Sequence, residues 1–158
     1  MHMKHCNFLS VFIAVMFVAI VGINSSAQTV SGTLEDIAIV KGANVKGIII
    51  LNIPQELHVN SNKPNSEYAI PTSVRITAPG LKLGEIEYPE GKNKKFQFSD
   101  AELNVYEGEV SFPFSVTVPR NFRGSTLTVK AVVRYQACTD EVCYPPKNKE
   151  VVITAAVR

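Results

Sequence analysis

Near the end of the chain, two runs of strict alternation flank a pair of cysteines, and they leave little freedom in what the chain can fold into. Leu127, Val129, Ala131, Val133 and Tyr135 alternate with Thr128, Lys130, Val132 and Arg134, and Val151, Ile153, Ala155 and Val157 repeat the pattern downstream. Apolar residues at every second position share one face of a strand, and that face must be covered by a second layer. The two runs are expected to pair, with the cysteines at the hairpin end.

That end reads Tyr135-Gln136-Ala137-Cys138-Thr139-Asp140-Glu141-Val142-Cys143-Tyr144-Pro145-Pro146. Directly opposed residues of an antiparallel pair have Cα atoms about 4.5–5.5 Å apart, and a disulfide spans about 4.4–6.8 Å. A cross-strand bond between Cys138 and Cys143 is therefore feasible. Its loop is so small that its entropic contribution lies at the low end for a disulfide. On these residues alone two readings stand: a pair with redox chemistry, or a structural clip on a hairpin.

The rest of the chain is a succession of short apolar runs broken by Gly, Pro and Asn. Residues 29–40 read as one or two strands on Val30, Leu34, Ile37 and Ile39, and Gly42-Ala43-Asn44 as a turn. Residues 45–53 hold the unbroken run Ile48-Ile49-Ile50-Leu51, which suits a strand covered on both sides, and Pro54 ends it. Leu57-His58-Val59-Asn60 is a short strand, and residues 68–77 and 81–88 are further strand regions. Residues 89–95 read as a polar loop in which Lys92-Asn93-Lys94-Lys95 is solvated. Residues 101–106 and 109–118, joined by Glu107-Gly108, carry a hairpin signal. Nothing recurs at helical spacing over a useful length. The expected fold is all-β, a single antiparallel immunoglobulin-like β-sandwich.

The first residues read as an export signal. Lys4 and His5 precede an apolar run from Phe8 to Ile23, followed by Asn24-Ser25-Ser26-Ala27. Serine and alanine at the two recognition positions predict cleavage after Ala27, so that residues 1–27 are a signal peptide and residues 28–158 the domain. An uncleaved anchor is the competing reading, because the apolar run is close to the lower limit for spanning a bilayer. Export removes Cys6 and leaves Cys138 and Cys143 in an oxidising compartment, periplasmic or secreted, where disulfides persist. A formal net charge of +2, with no long basic run, argues against nucleic acid as a partner. His58, the one histidine beyond the leader, lacks companions at metal-ligand spacing and a recognisable nucleophile set. It is expected to be a packing or loop-edge residue, and neither metal nor cofactor is expected.

The order Y-Q-A-C…C-Y-P-P from Tyr135 to Pro146 resembles the active-site hairpin of the N-terminal (alpha) domain of the DsbD thiol:disulfide interchange protein. The likeness is densest over residues 127–152 and extends more loosely from about residue 48. It implies the same immunoglobulin-like fold and a redox role for Cys138 and Cys143, with Cys143 as the sulfur that forms mixed disulfides. Tyr135, Tyr144, Pro145 and Pro146 would frame the hairpin, through packing and turn rigidity or through partner contact. Phe96 and Phe98 stand nearest to the family's aromatic cap loop, a match of position only, and core packing is their other reading. The implied partners are thioredoxin-like redox proteins or a membrane electron-transfer protein.

Asp140 and Glu141 between the cysteines disfavour a thiolate. The pair therefore suits a disulfide that a partner's reactive cysteine attacks, rather than an aggressive nucleophile. The multi-helix membrane domain and thioredoxin-like domain of full-length DsbD are missing from these residues, as is any C-x-x-C, so a separate protein is expected to reduce the pair. The alternative, from a different class, is a secreted non-catalytic β-sandwich binding domain with a structural disulfide.

Overall fold

The computed structural model describes residues 27–158; the expected signal peptide lies outside the described residues, apart from Ala27. The described chain is built from twelve strands: β1 (Thr29–Leu34), β2 (Ala38–Ile39), β3 (Asn44–Asn52), β4 (His58–Asn60), β5 (Ser73–Thr77), β6 (Lys82–Ile86), β7 (Lys92–Lys94), β8 (Leu103–Tyr106), β9 (Glu109–Thr117), β10 (Thr126–Tyr135), β11 (Ala137–Cys138) and β12 (Lys147–Val157). Among the described residues there is no helix.

Two four-stranded sheets, β1-β3-β9-β6 and β2-β12-β10-β5, face each other across the main core. Alternation explains which residues meet there. Val45, Ile49 and Leu51 of β3 and Val110, Phe112, Phe114 and Val116 of β9 point inward from one sheet. Val74 and Ile76 of β5, Leu127, Val129, Ala131, Val133 and Tyr135 of β10, and Ile153, Ala155 and Val157 of β12 answer from the other. Each fully buried large side chain of this kind stabilises the fold by about 1.5–3 kcal/mol. Phe112 meets Tyr88 and Tyr106 edge-on, at centroid distances of 5.5 and 6.1 Å, the arrangement aromatic quadrupoles favour. All pairings are antiparallel except β2 with β12. The result is an immunoglobulin-like β-sandwich.

The expected pairing of the two alternating runs is found, with Leu127 opposite Ala155 and Tyr135 opposite Lys147. Three local expectations are corrected. Residues 101–106 and 109–118 do not form a hairpin: β8 pairs with β4 and β7, whereas β9 pairs with β3 and β6. Asn52 is opposite Glu109 and Val59 opposite Tyr106, so β3–β4 and β8–β9 form one ribbon that bends from one sheet into another. Gly108, with φ at +65°, makes that corner, and its carbonyl accepts from the Ile53 N–H at 2.9 Å. Lys92-Asn93-Lys94 is solvated but is not a loop: it is edge strand β7, paired with β8, and Lys94 makes an ion pair with Glu107. Lysines on an edge strand discourage pairing with other chains. The Ile48–Leu51 run is not covered equally on both sides, since Ile48 and Ile50 face outward and are only half-buried.

The ribbon's bend creates the third sheet, β11-β4-β8-β7. It carries its own small core of Phe96, Leu103 and Val105. This sheet holds the cysteines.

Candidate functional site

At Tyr135 the chain leaves the sandwich. Tyr135 is fully buried, with its hydroxyl 3.5 Å from the Gln28 amide oxygen, and burial raises its pKa above the ordinary value. After Gln136, β11 joins the small sheet by pairing Ala137 with Val59 and Cys138 with His58. Thr139 then shapes the return. Its hydroxyl accepts from the N–H groups of Glu141 and Val142 at 3.2 and 3.1 Å, and its own N–H donates to the Val142 carbonyl at 2.9 Å. A threonine side chain that occupies nearby backbone donors favours a tight turn over a continuing strand.

The turn brings Cys143 back opposite Cys138, and the two form a disulfide with Cα atoms 4.0 Å apart. Beyond it, the Tyr144 N–H donates to the Ala137 carbonyl at 2.8 Å, and the Gln136 amide donates to the Tyr144 carbonyl at 3.2 Å. Pro145 and Pro146 lie exposed between this clasp and β12, and Tyr144 is exposed beside them. Of the four residues expected to frame the hairpin, Tyr135 packs in the core, while Tyr144, Pro145 and Pro146 are exposed.

The two sulfurs have unlike surroundings. Cys138 is fully buried, whereas Cys143 is partly exposed and lines a cleft of about 480 Å³ with Asn60, Tyr68, Phe98, Leu103 and Gln136. Tyr68, Phe98, Val142 and Tyr144 are exposed apolar side chains that line this cleft or flank Cys143 in sequence. Asp140 and Glu141 line a separate, polar cleft with His58, Lys94 and Glu107. Both carboxylates are exposed, so water screens their effect on either sulfur.

Phe96 and Phe98 divide their roles. Phe96 is buried in the small core, and Phe98 is half-exposed and stacked on it, with centroids 5.4 Å apart. Phe96 stacks in turn on His58, at 4.1 Å. His58 is a buried strand residue, so the packing half of its expectation holds and the loop-edge half does not. Its position beside the disulfide was beyond sequence reasoning, because only the β4–β11 pairing joins residues so far apart. Burial lowers its pKa from 6.5; Asp140 and Glu107 oppose that shift and Lys94 reinforces it. Among the described residues no cluster of potential metal ligands occurs.

The family description "Thiol:disulfide interchange protein DsbD, N-terminal" matches residues 34–155. The thiol:disulfide interchange protein DsbD of Pseudoalteromonas atlantica is 33% identical over 89 residues, which cover 56% of this chain and 14% of that protein. The chain thus spans a small part of that relative. Among solved structures, the N-terminal periplasmic domain of ScsB from Proteus mirabilis superposes with a TM-score of 0.53 at 14% identity, over 79% of this chain and 45% of that one. This last likeness concerns the fold alone.

Proposed function

This chain belongs to the family of DsbD N-terminal domains, and on that premise we propose that it is a thiol–disulfide exchange module in which Cys143 is the sulfur that meets partners. The family supports exchange chemistry; the contrast between the buried Cys138 and the accessible Cys143 is the observation that carries the finer reading. A thioredoxin-like partner's thiolate attacks Cys143 Sγ, the Cys138–Cys143 bond breaks, and Cys138 leaves as a thiolate that takes up a proton. The partner's second thiol, deprotonated, then attacks its own mixed-disulfide sulfur and releases Cys143. Two electrons and two protons have moved: the partner dithiol becomes a disulfide, and Cys138 and Cys143 become thiols. The same steps in reverse reduce a target protein's disulfide.

Phe96 and Phe98 serve as a lid over the disulfide in this reading, with Phe98 lining the cleft that holds Cys143. The exposed apolar rim of Tyr68, Val142 and Tyr144 supports a docking face for a redox protein. Export after cleavage behind Ala27 would deliver the domain to the periplasm, and a separate thioredoxin-like or membrane electron-transfer protein would supply the electrons.

The test uses single-cysteine variants. Cys138→Ser leaves Cys143 free and is expected to trap a mixed disulfide with an oxidised thioredoxin-like protein, while Cys143→Ser traps little. Trapping only through Cys138 would reverse the assignment. A native disulfide with a reduction potential below about −300 mV, and no transfer from a reduced thioredoxin-like protein, would return the chain to the class of binding domains with a structural disulfide.

A further inference from the structure

Three near-parallel aromatic rings cluster between the strand that carries the buried sulfur and the cleft that holds the accessible one. His58 is opposite Cys138 in the β4–β11 register, and opposed residues project to the same face of a sheet. Its ring lies 4.1 Å from Phe96 at an interplanar angle of 14°, and Phe96 lies 5.4 Å from Phe98 at 12°. His58 and Phe98 are themselves within 2° of parallel with centroids 6.5 Å apart, so the three rings form a triangle with Phe96 packed against both others. His58 and Phe96 are buried, 2% and 6% exposed, while Phe98 is 40% exposed and lines the Cys143 cleft.

A phenylalanine could stack on Phe96 without leaving a polar atom unpaired. His58 instead buries Nε2 with no hydrogen-bond partner. What the imidazole adds is a charge that can be switched on near neutral pH. Once charged, it would lie stacked on Phe96 with its Nε2 shut off from solvent. The groups facing it are Asp140 from the cysteine turn and Glu107 after β8, with Lys94 of β7 opposing them, and Glu56 and Glu141 line the same cleft. Burial outweighs the carboxylates, so the seated ring favours the neutral form.

We propose that His58 is a positioning residue for the aromatic lid: its neutral ring seats Phe96 and Phe98 over the disulfide, and its protonation loosens the three rings and widens access to Cys143. This rests on the lid reading of Phe96 and Phe98 and adds a dependence on pH. The sign follows from linkage: a group whose pKa is lower when seated than when released stabilises the seated form above its ordinary value of 6.5. That stabilisation is lost as pH falls through the lowered value. Acid opens the lid.

The experiment follows reduction of the disulfide by a small phosphine, from about pH 8 to about pH 5, in the native protein and in His58→Phe. Taking the ratio of the two rates at each pH cancels the titration of the phosphine itself. His58→Phe keeps a flat ring and removes the proton site, so the ratio of native to variant rates should rise at least about threefold toward low pH. Each unit of pKa difference between seated and released forms changes their equilibrium by about tenfold. A flat ratio overturns the proposal. Phe98→Ala separates this from the lid reading: no acceleration at about pH 8 defeats the lid itself, whereas acceleration with a flat native-to-His58→Phe ratio defeats only the role of His58. In the native protein, NMR signals of the His58 ring and the Phe98 ring must titrate with one midpoint, and separate midpoints overturn the proposal without any variant.

Discussion

Reducing the Cys138–Cys143 bond should cost the folded protein little, and the size of that cost separates a redox pair from a staple. The sequence separation of the two cysteines is 5, and the loop-entropy relation gives about 2 kcal/mol for so short a loop, against nearly 5 for one of about 100 residues. Neither cysteine belongs to the hydrophobic core cluster between the two large sheets. Backbone bonds on both sides of the disulfide, from Thr139 to Val142 and from Tyr144 to Ala137, hold the turn independently of it. Urea denaturation of oxidised and reduced protein, with Cys138→Ser/Cys143→Ser as a permanently reduced control, should therefore give two cooperative transitions of similar slope, offset by about 2 kcal/mol. By the thermodynamic cycle, folding then makes the disulfide's potential more negative by only about 40 mV than in the unfolded chain. A loss above about 4 kcal/mol, or loss of the cooperative transition on reduction, would refute the reasoning and mark the bond as a staple.

Other expectations follow from single contacts. Gly47→Ala should destabilise by about 1–3 kcal/mol in the same urea assay, because the added methyl would press into the Phe114 ring and lie 2.9 Å from Leu34 Cδ2. Phe98→Ala should change stability by less than about 1 kcal/mol, since the ring is half-exposed, while speeding attack on the disulfide by a small thiol. The urea midpoint of the native protein should fall relative to His58→Phe as pH drops below 6.5, since the buried neutral His58 must take up a proton on unfolding; parallel curves would remove His58 from the acid response. Intact-mass measurement of exported protein should show the loss of residues 1–27, and full mass in a membrane fraction would favour the anchored reading.

The sandwich was legible because its strands bury one face each. Leu127 to Tyr135 and Val151 to Val157 declare their inward residues by alternation alone, and their pairing follows from nearness in sequence. The cysteine hairpin was legible for the same reason, helped by the order of its tyrosines and prolines. What alternation does not encode is the choice of partner. Glu107-Gly108 signals a change of direction, but whether β8 folds back on β9 depends on β3 and β4, which lie far away in sequence. Strand β7 escaped because Lys-Asn-Lys has no apolar face to announce it. The position of His58 beside Cys138 escaped because the pairing that joins them is only two residues long.

The unequal exposure of the two sulfurs also constrains traffic. If electrons enter and leave through Cys143 alone, the protein that reduces this domain and the protein it reduces must occupy the same place at different times. On that reading, no ternary complex can form. Turnover with both partners then follows double-displacement kinetics, with each partner inhibiting at high concentration by capturing the form of the domain meant for the other. A face that must admit two unrelated visitors in alternation cannot be moulded closely to either. The exposed apolar side chains of Tyr68, which lines the cleft of Cys143, and of Val142 and Tyr144, its neighbours in sequence, suit that requirement.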